Sequence, residues 1–130
     1  MTRSTTTSSP GSVTAVPHLP ASFTDRFTSS LVDTGRVRLH VVTGGTGPAL
    51  LLLAGWPQTW YAWRHVMLAL GEKFTVIAAD PRGVGLSEKP DDGYDTGTLA
   101  RDMVELMVAL GHTRFTMVGH DIGMWSAATA

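Results

Sequence analysis

The stretch Val118-Gly119-His120-Asp121-Ile122-Gly123 decides the reading of this chain. It joins an apolar run, Phe115 to Gly119, to a segment that reads as a helix start after Asp121. Asp is a good helix N-cap, and the acid alone would carry no more than that. Gly119 and Gly123, however, stand two residues either side of it. A sharp strand-to-helix turn that lifts one side chain clear of the backbone has room only for tiny side chains at those two positions. The constellation therefore reads as a nucleophile turn with Asp121 as the exposed acid. His120 beside it reads as packing at a strand end and not as a base.

Working outward, Ala49 to Ala54 and Phe74 to Ala79 are short, almost wholly apolar runs, as strands covered on both faces would be. Between them, Thr59 to Leu70 carries apolar residues at helical spacing, with Thr59 as N-cap and Gly71 just past the end. Thr98 to Leu110 repeats Leu99, Met103, Leu106, Met107 and Leu110, a helical stripe closed by Gly111. Upstream, Phe27 to Asp33 and Val37 to Thr43 are β-branched runs separated by Thr34-Gly35-Arg36, which predicts a hairpin. Val37, Leu39 and Val41 alternate there with Arg38 and His40, so one face is expected buried and one wet. The sum is a β-hairpin followed by β-α-β-α-β: an α/β fold with a mostly parallel sheet and helices on both faces. Residues 1–22, rich in Ser, Thr and Pro with Arg3 as the one charged side chain, are expected to be a disordered tail before a partial domain at 23–130.

Bulk properties narrow the function classes. With 130 residues, 43% hydrophobic and 16% charged, the chain is sized for one small globular domain. Its net charge is −1 and its ten Lys and Arg residues are scattered, so nucleic acid is not an expected partner. The apolar run Pro48 to Trp56 is too short to span a bilayer, and the N-terminus lacks the apolar core of a secretory signal. The absence of cysteine removes disulfides, thiolate metal sites and a Cys nucleophile together and suits a cytoplasmic location. Gly83-x-Gly85 is too short for a dinucleotide fingerprint, and Gly44-Gly45-Thr46-Gly47 lacks the phosphate-loop lysine. Neither cofactor nor metal is expected.

Two further loops agree with the acidic turn: Ala54-Gly55-Trp56-Pro57 after the first apolar run, and Asp80-Pro81-Arg82-Gly83-Val84-Gly85-Leu86-Ser87 after the second. With Gly119-His120-Asp121-Ile122-Gly123, these resemble the epoxide hydrolase and haloalkane dehalogenase branch of the α/β-hydrolase superfamily, over about Phe27 to Ala130. The branch carries a His-Gly-x-Pro turn, an Asp-x-Arg-Gly-x-Gly-x-Ser loop and a Gly-x-Asp-x-Gly elbow. The resemblance implies that Asp121 attacks a saturated carbon to give an alkyl-enzyme ester, which a His-activated water hydrolyses. It assigns the oxyanion hole to the backbone N–H groups of Trp56 and Ile122, and substrate contact to Trp56 and Trp60. A carboxylate is ionised at pH 7 and can open an epoxide without a base to activate it. Asp80, Arg82 and Ser87 read as structural: Asp and Ser capping turns, and Arg82 tying loop carbonyls together.

The sequence departs from the branch at Ala54, where histidine is frequent, at Ile122, where tryptophan is common, and at Met124, where a small residue is usual. In dehalogenases that tryptophan donates to the leaving halide, so an epoxide is the favoured small-molecule substrate and haloalkane or haloacid dehalogenation the alternative. A serine esterase would need a hydroxyl at position 121. The acid and histidine of such a triad follow the nucleophile in chain order, and residues 122–130 hold no Asp, Glu or His. The chain is therefore expected to be the N-terminal half of such a hydrolase, inactive or single-turnover alone. Its elbow strand would present an exposed edge for self-association. The competing reading is a non-catalytic remnant, or a half that depends on a partner.

Overall fold

The computed structural model describes residues 6–8, 16–55 and 58–119. The expectations for Trp56, Pro57, His120, Asp121, Ile122, Gly123 and Met124 therefore fall outside the described residues. Six strands form one sheet in the order β1-β2-β3-β5-β4-β6. They are β1 (Thr6–Ser8), β2 (Phe27–Asp33), β3 (Arg38–Gly45), β4 (Ala49–Leu53), β5 (Thr75–Ala79) and β6 (Phe115–Gly119). The first three are antiparallel to their neighbours, β3 also runs antiparallel to β5, and β5, β4 and β6 are parallel. The predicted hairpin closes with Asp33 opposite Arg38. Its loop is held by the Asp33 carboxylate, which accepts the N–H of Gly35 at 2.8 Å, and by the Thr34 hydroxyl donating to the Val37 carbonyl at 3.0 Å.

The parallel half sets up the site. From β4 the chain crosses to its neighbour β5, and from β5 it doubles back past β4 to β6. Crossovers of one hand that run in opposite directions deposit their helices on opposite faces of the sheet. The packing follows: Met67 of α2 (Arg64–Gly71) joins Leu50, Leu52, Val76 and Ala78 on one face. On the other, Met103, Leu106 and Met107 of α3 (Thr96–Ala109) join Leu51, Leu53, Ile77 and Ala79. All five residues of β4 are buried, as its unbroken apolar run predicts. Strand β6 is the outermost on its side: Phe115 and Met117 pack against the α3 face, while Val118 is 41% exposed on the other.

Several local expectations are corrected. Thr59 caps a 3-10 helix, Trp60–Trp63, that precedes α2, and Gly71 is the last helical residue instead of the first beyond the end. Helix α3 starts at Thr96, because Asp95 caps it: the carboxylate accepts the Thr98 N–H at 3.0 Å and the Thr98 hydroxyl at 2.8 Å. Part of the segment read as a disordered tail is built into the fold. Thr6–Ser8 pairs with β2 and so covers backbone groups that would otherwise form the sheet edge. Val16 and Leu19 pack on the core, the Tyr61 hydroxyl donates to the Pro17 carbonyl at 2.6 Å, and a short helix α1 (Phe23–Arg26) follows. The wet face assigned to Arg38 and His40 holds only for Arg38. His40 is 1% exposed, on a face that its own hydrogen bonds make habitable.

Candidate active site

Where the loops after two adjacent parallel strands depart to opposite faces, a crevice opens at the carboxyl ends of those strands. The ends of β4 and β5 meet this condition, and a cavity of about 190 Å³ lies there. Ala54, Gly55 and Gln58 form the wall after β4, and Pro81, Arg82, Gly83 and Val84 the wall after β5. Tyr94 and Leu99, at the approach to and start of α3, complete it. The lining is predominantly apolar. Leu53 of β4 pairs with Gly119 of β6, so the described chain ends level with the start of the first wall, two residues before Asp121.

At the start of the second wall, Asp80 is the hub of a buried network. Its Oδ2 accepts from His40 Nδ1 at 2.8 Å and from the Leu86 N–H at 3.4 Å, and its Oδ1 accepts the Trp60 N–H at 2.8 Å. A carboxylate only accepts, so Nδ1 carries the hydrogen; the Ser29 hydroxyl lies 2.6 Å from Nε2 on the other side of the ring, within hydrogen-bond distance. The backbone repeats the connection: Asp80 N–H donates to the His40 carbonyl at 2.9 Å, and the Ser87 hydroxyl donates to the Asp80 carbonyl while accepting the His40 N–H at 2.7 Å. Gly85, at φ +55°, leaves room for the Asp80 carboxylate, which a Cβ would strike. Ser29, His40 and Asp80 share the hydrogen-bond order of a catalytic triad. Their exposures of 5%, 1% and 0%, and their absence from the cavity lining, make this a structural relay.

Arg82 forms the second knot. Its guanidinium grips Asp102 of α3 through Nε and Nη2, at 2.8 and 2.9 Å, and Nη1 donates to the Asp92 carbonyl at 3.1 Å. The hydrogen bond to Asp102 holds the Arg82 pKa above its ordinary value against the opposing effect of burial. Gly93, at φ +84°, lies so close over this guanidinium that any side chain there would meet it. Asp80 and Ser87 are buried within this hydrogen-bonded loop, while Arg82 also lines the cavity. Arg82 ties one loop carbonyl, as expected, but its main partner is a helix carboxylate.

Of the other predicted residues, Gly55 and Gly83 line the cavity. Trp60 does not: it is 6% exposed, in the core, its ring 5.8 Å from that of Phe23 and edge-on to Tyr61. Its apolar bulk is worth more against Phe23 and Phe27 than at a cavity wall. Sequence reasoning missed His40, Asp102, Gln58 and Tyr94. Asp102 carried a signal: it follows Leu99 by three residues and adjoins Met103, so it lies on the apolar face of α3, where an acid needs a buried cation. Among the described residues, no group of His, Cys, Asp or Glu is arranged to hold a metal ion, and no helix is long and apolar enough to cross a membrane.

Comparison with known proteins agrees with this geometry. The soluble epoxide hydrolase of Corynebacterium sp. (strain C12) is 55% identical over 86 residues, covering 66% of this chain and 30% of that protein. The fluoroacetate dehalogenase of Burkholderia sp. is 46% identical over 102 residues, covering 75% and 34%. Among solved structures, the epoxide hydrolase CorEH without ligand superposes with a TM-score of 0.77 at 48% identity, covering 79% of this chain and 36% of that one. The chain thus spans about a third of the length of the relatives it matches. Residues 48–123, from just before β4 to Gly123, match the model of the alpha/beta hydrolase fold. Taken with the switch-point cavity and the strand order, that match means the chain belongs to the alpha/beta hydrolase fold family, among relatives that are epoxide hydrolases and dehalogenases.

Proposed function

We propose that the chain carries the nucleophile half of an epoxide hydrolase, with Asp121 as the attacking carboxylate. The observation that supports this most directly is the register of Leu53 with Gly119 beside the apolar cavity. It brings the chain out of β6 next to the wall formed by Ala54 and Gly55, two residues ahead of the acid. A carboxylate oxygen attacks one epoxide carbon, the bond from that carbon to the ring oxygen breaks, and the resulting alkoxide takes a proton from water. The product is a 2-hydroxyalkyl ester of Asp121. Water adding to the ester carbonyl releases the diol and restores the carboxylate, with the N–H groups of Trp56 and Ile122 facing the developing oxyanion.

The resting acid and base for that second step follow the nucleophile in this family. Residues 122–130 contain neither, so the 130-residue chain is expected to stop at the ester. Incubation with phenyl glycidyl ether, followed by peptide mass spectrometry, should show the full mass of the epoxide added at Asp121, and no adduct at that site in Asp121→Ala. Continuous diol production by the purified chain, or alkylation spread evenly over surface carboxylates, would overturn the reading.

The dehalogenase relative favours a second substrate class through the same attack. Fluoroacetate would then leave a carboxymethyl ester on Asp121 and release fluoride. Ile122 offers no ring N–H to the departing halide, which is why the epoxide takes precedence.

A further inference from the structure

The two walls of the cavity belong to separate chain segments, one following β4 and one following β5. The buried Asp80 carboxylate bonds to both segments. Asp80 stands at the start of the second wall, where its Oδ2 receives the Leu86 N–H, and its Oδ1 reaches across to the Trp60 N–H of the first segment. We propose that Asp80 is a positioning residue, a strut that fixes the spacing of the two walls and with it the placement of the segment at Gly55 that leads to Trp56. This rests on the assignment of Asp121 and the Trp56 N–H to the same site.

Three observations carry it. First, the Trp60 N–H opens the 3-10 helix, and the rest of that first turn is already satisfied locally: Thr59 accepts from Tyr61 and Ala62. Asp80 thus supplies the remaining anchor at an end where a carboxylate is electrostatically favoured. Second, the segment between strand and helix is short and closed, since the Gln58 N–H donates to the Gly55 carbonyl at 2.6 Å. A displacement at Trp60 therefore passes directly to Gly55. Third, Asp80 cannot drift: its side chain is fully buried, His40 holds Oδ2, Ser29 holds His40, and Ser87 holds the Asp80 backbone. The relay is buried and does not line the cavity, as suits a positioning device.

The test uses the 130-residue chain and two readouts. Asp80→Ala is expected to slow the maximal rate of Asp121 alkylation by phenyl glycidyl ether about tenfold or more, because a misplaced site loses its alignment. Asp80→Asn keeps an acceptor for Trp60, its NH2 donating to His40 Nδ1 once the ring takes its other tautomer, and should recover to within about threefold of the parent. Leu106→Ala, a core truncation on the opposite face, should leave the maximal rate within about twofold although it lowers stability. Amide exchange gives the second readout: in Asp80→Ala the Trp60 and Gln58 amides should lose more protection than those of Val76 and Ile77 in β5. Equal loss across all four amides, or equal slowing in Leu106→Ala, would overturn the strut. If the parent chain is not alkylated at Asp121 at all, the function assignment fails, while the exchange pattern still decides the strut.

Discussion

Arg82 and Asp102 face each other in a two-pronged ion pair, with Nε to Oδ2 at 2.8 Å and Nη2 to Oδ1 at 2.9 Å, both side chains at most 7% exposed. This joins the loop after β5 to the buried face of α3. Removing one member strands the other charge out of water, so Asp102→Ala should lower unfolding free energy by about 3–5 kcal/mol. The double variant Arg82→Met with Asp102→Leu removes both charges and should recover a large part of that loss. Urea unfolding of the three variants checks it; a double variant as unstable as the single one would show that shape, not charge pairing, dominates here.

The His40 ring lies between Ser29 and Asp80 and is 1% exposed. His40→Leu should cost about 2 kcal/mol, since it leaves the Asp80 carboxylate short of a donor, and Ser29→Ala about 1 kcal/mol, since it removes one hydrogen bond to the ring. Thermal denaturation reads both. Equal costs would mean that the carboxylate is satisfied without the ring.

Helix α3 begins at an exposed carboxylate whose pKa is lowered, first by the hydrogen bond from the Thr98 hydroxyl and then by the Thr98 N–H. A lowered folded pKa means a contribution to stability that is present above the ordinary value of 3.8 and lost as pH falls through the folded value. An NMR titration of Asp95 should therefore show a midpoint below 3.8, and Thr98→Val should return it toward 3.8. The stability advantage of the parent over Thr98→Val should shrink below that pH. A midpoint unmoved by Thr98→Val would assign the shift to the helix end alone.

Strand legibility in this sequence came from apolar runs, and it was high for β4 and β5 because a strand covered on both faces leaves an unbroken signature; β6 was legible as a strand, although one of its faces is exposed. β6 matched its predicted span, Phe115 to Gly119, and β5 began one residue later than its run suggested. His40 was misread because alternation in β3 speaks of only one face, and a polar ring looks wet until its partners are known. Those partners, Ser29 and Asp80, come from two different strand regions, and no local pattern pairs them. Asp95 was passed over because the apolar stripe of α3 starts at Leu99, after the cap and first turn. The motif loops were legible as motifs, yet their bonds were not, since Arg82 finds Asp102 twenty residues on.

The outer strand β6 exposes Val118 on one face and has no strand beyond it among the described residues. We propose that this strand is a route of self-association; Val118→Lys puts a charge beside it and should then lower association of the 130-residue chain with little effect on its fold. Light scattering across a concentration series measures this. Association unchanged by the lysine would move the contact elsewhere on the surface.

Strand β4 lies between β5 and β6, and its second neighbour lies about sixty residues downstream of its own end. At a ribosome adding about 5–20 residues per second, that interval lasts several seconds, during which Leu50 to Leu53 have one side of their backbone ladder open. Among the described strands, the most apolar is thus the one that waits longest for its second neighbour. A chaperone that shelters extended leucine-rich segments during synthesis has its natural client window here, between the emergence of Leu53 and that of Phe115.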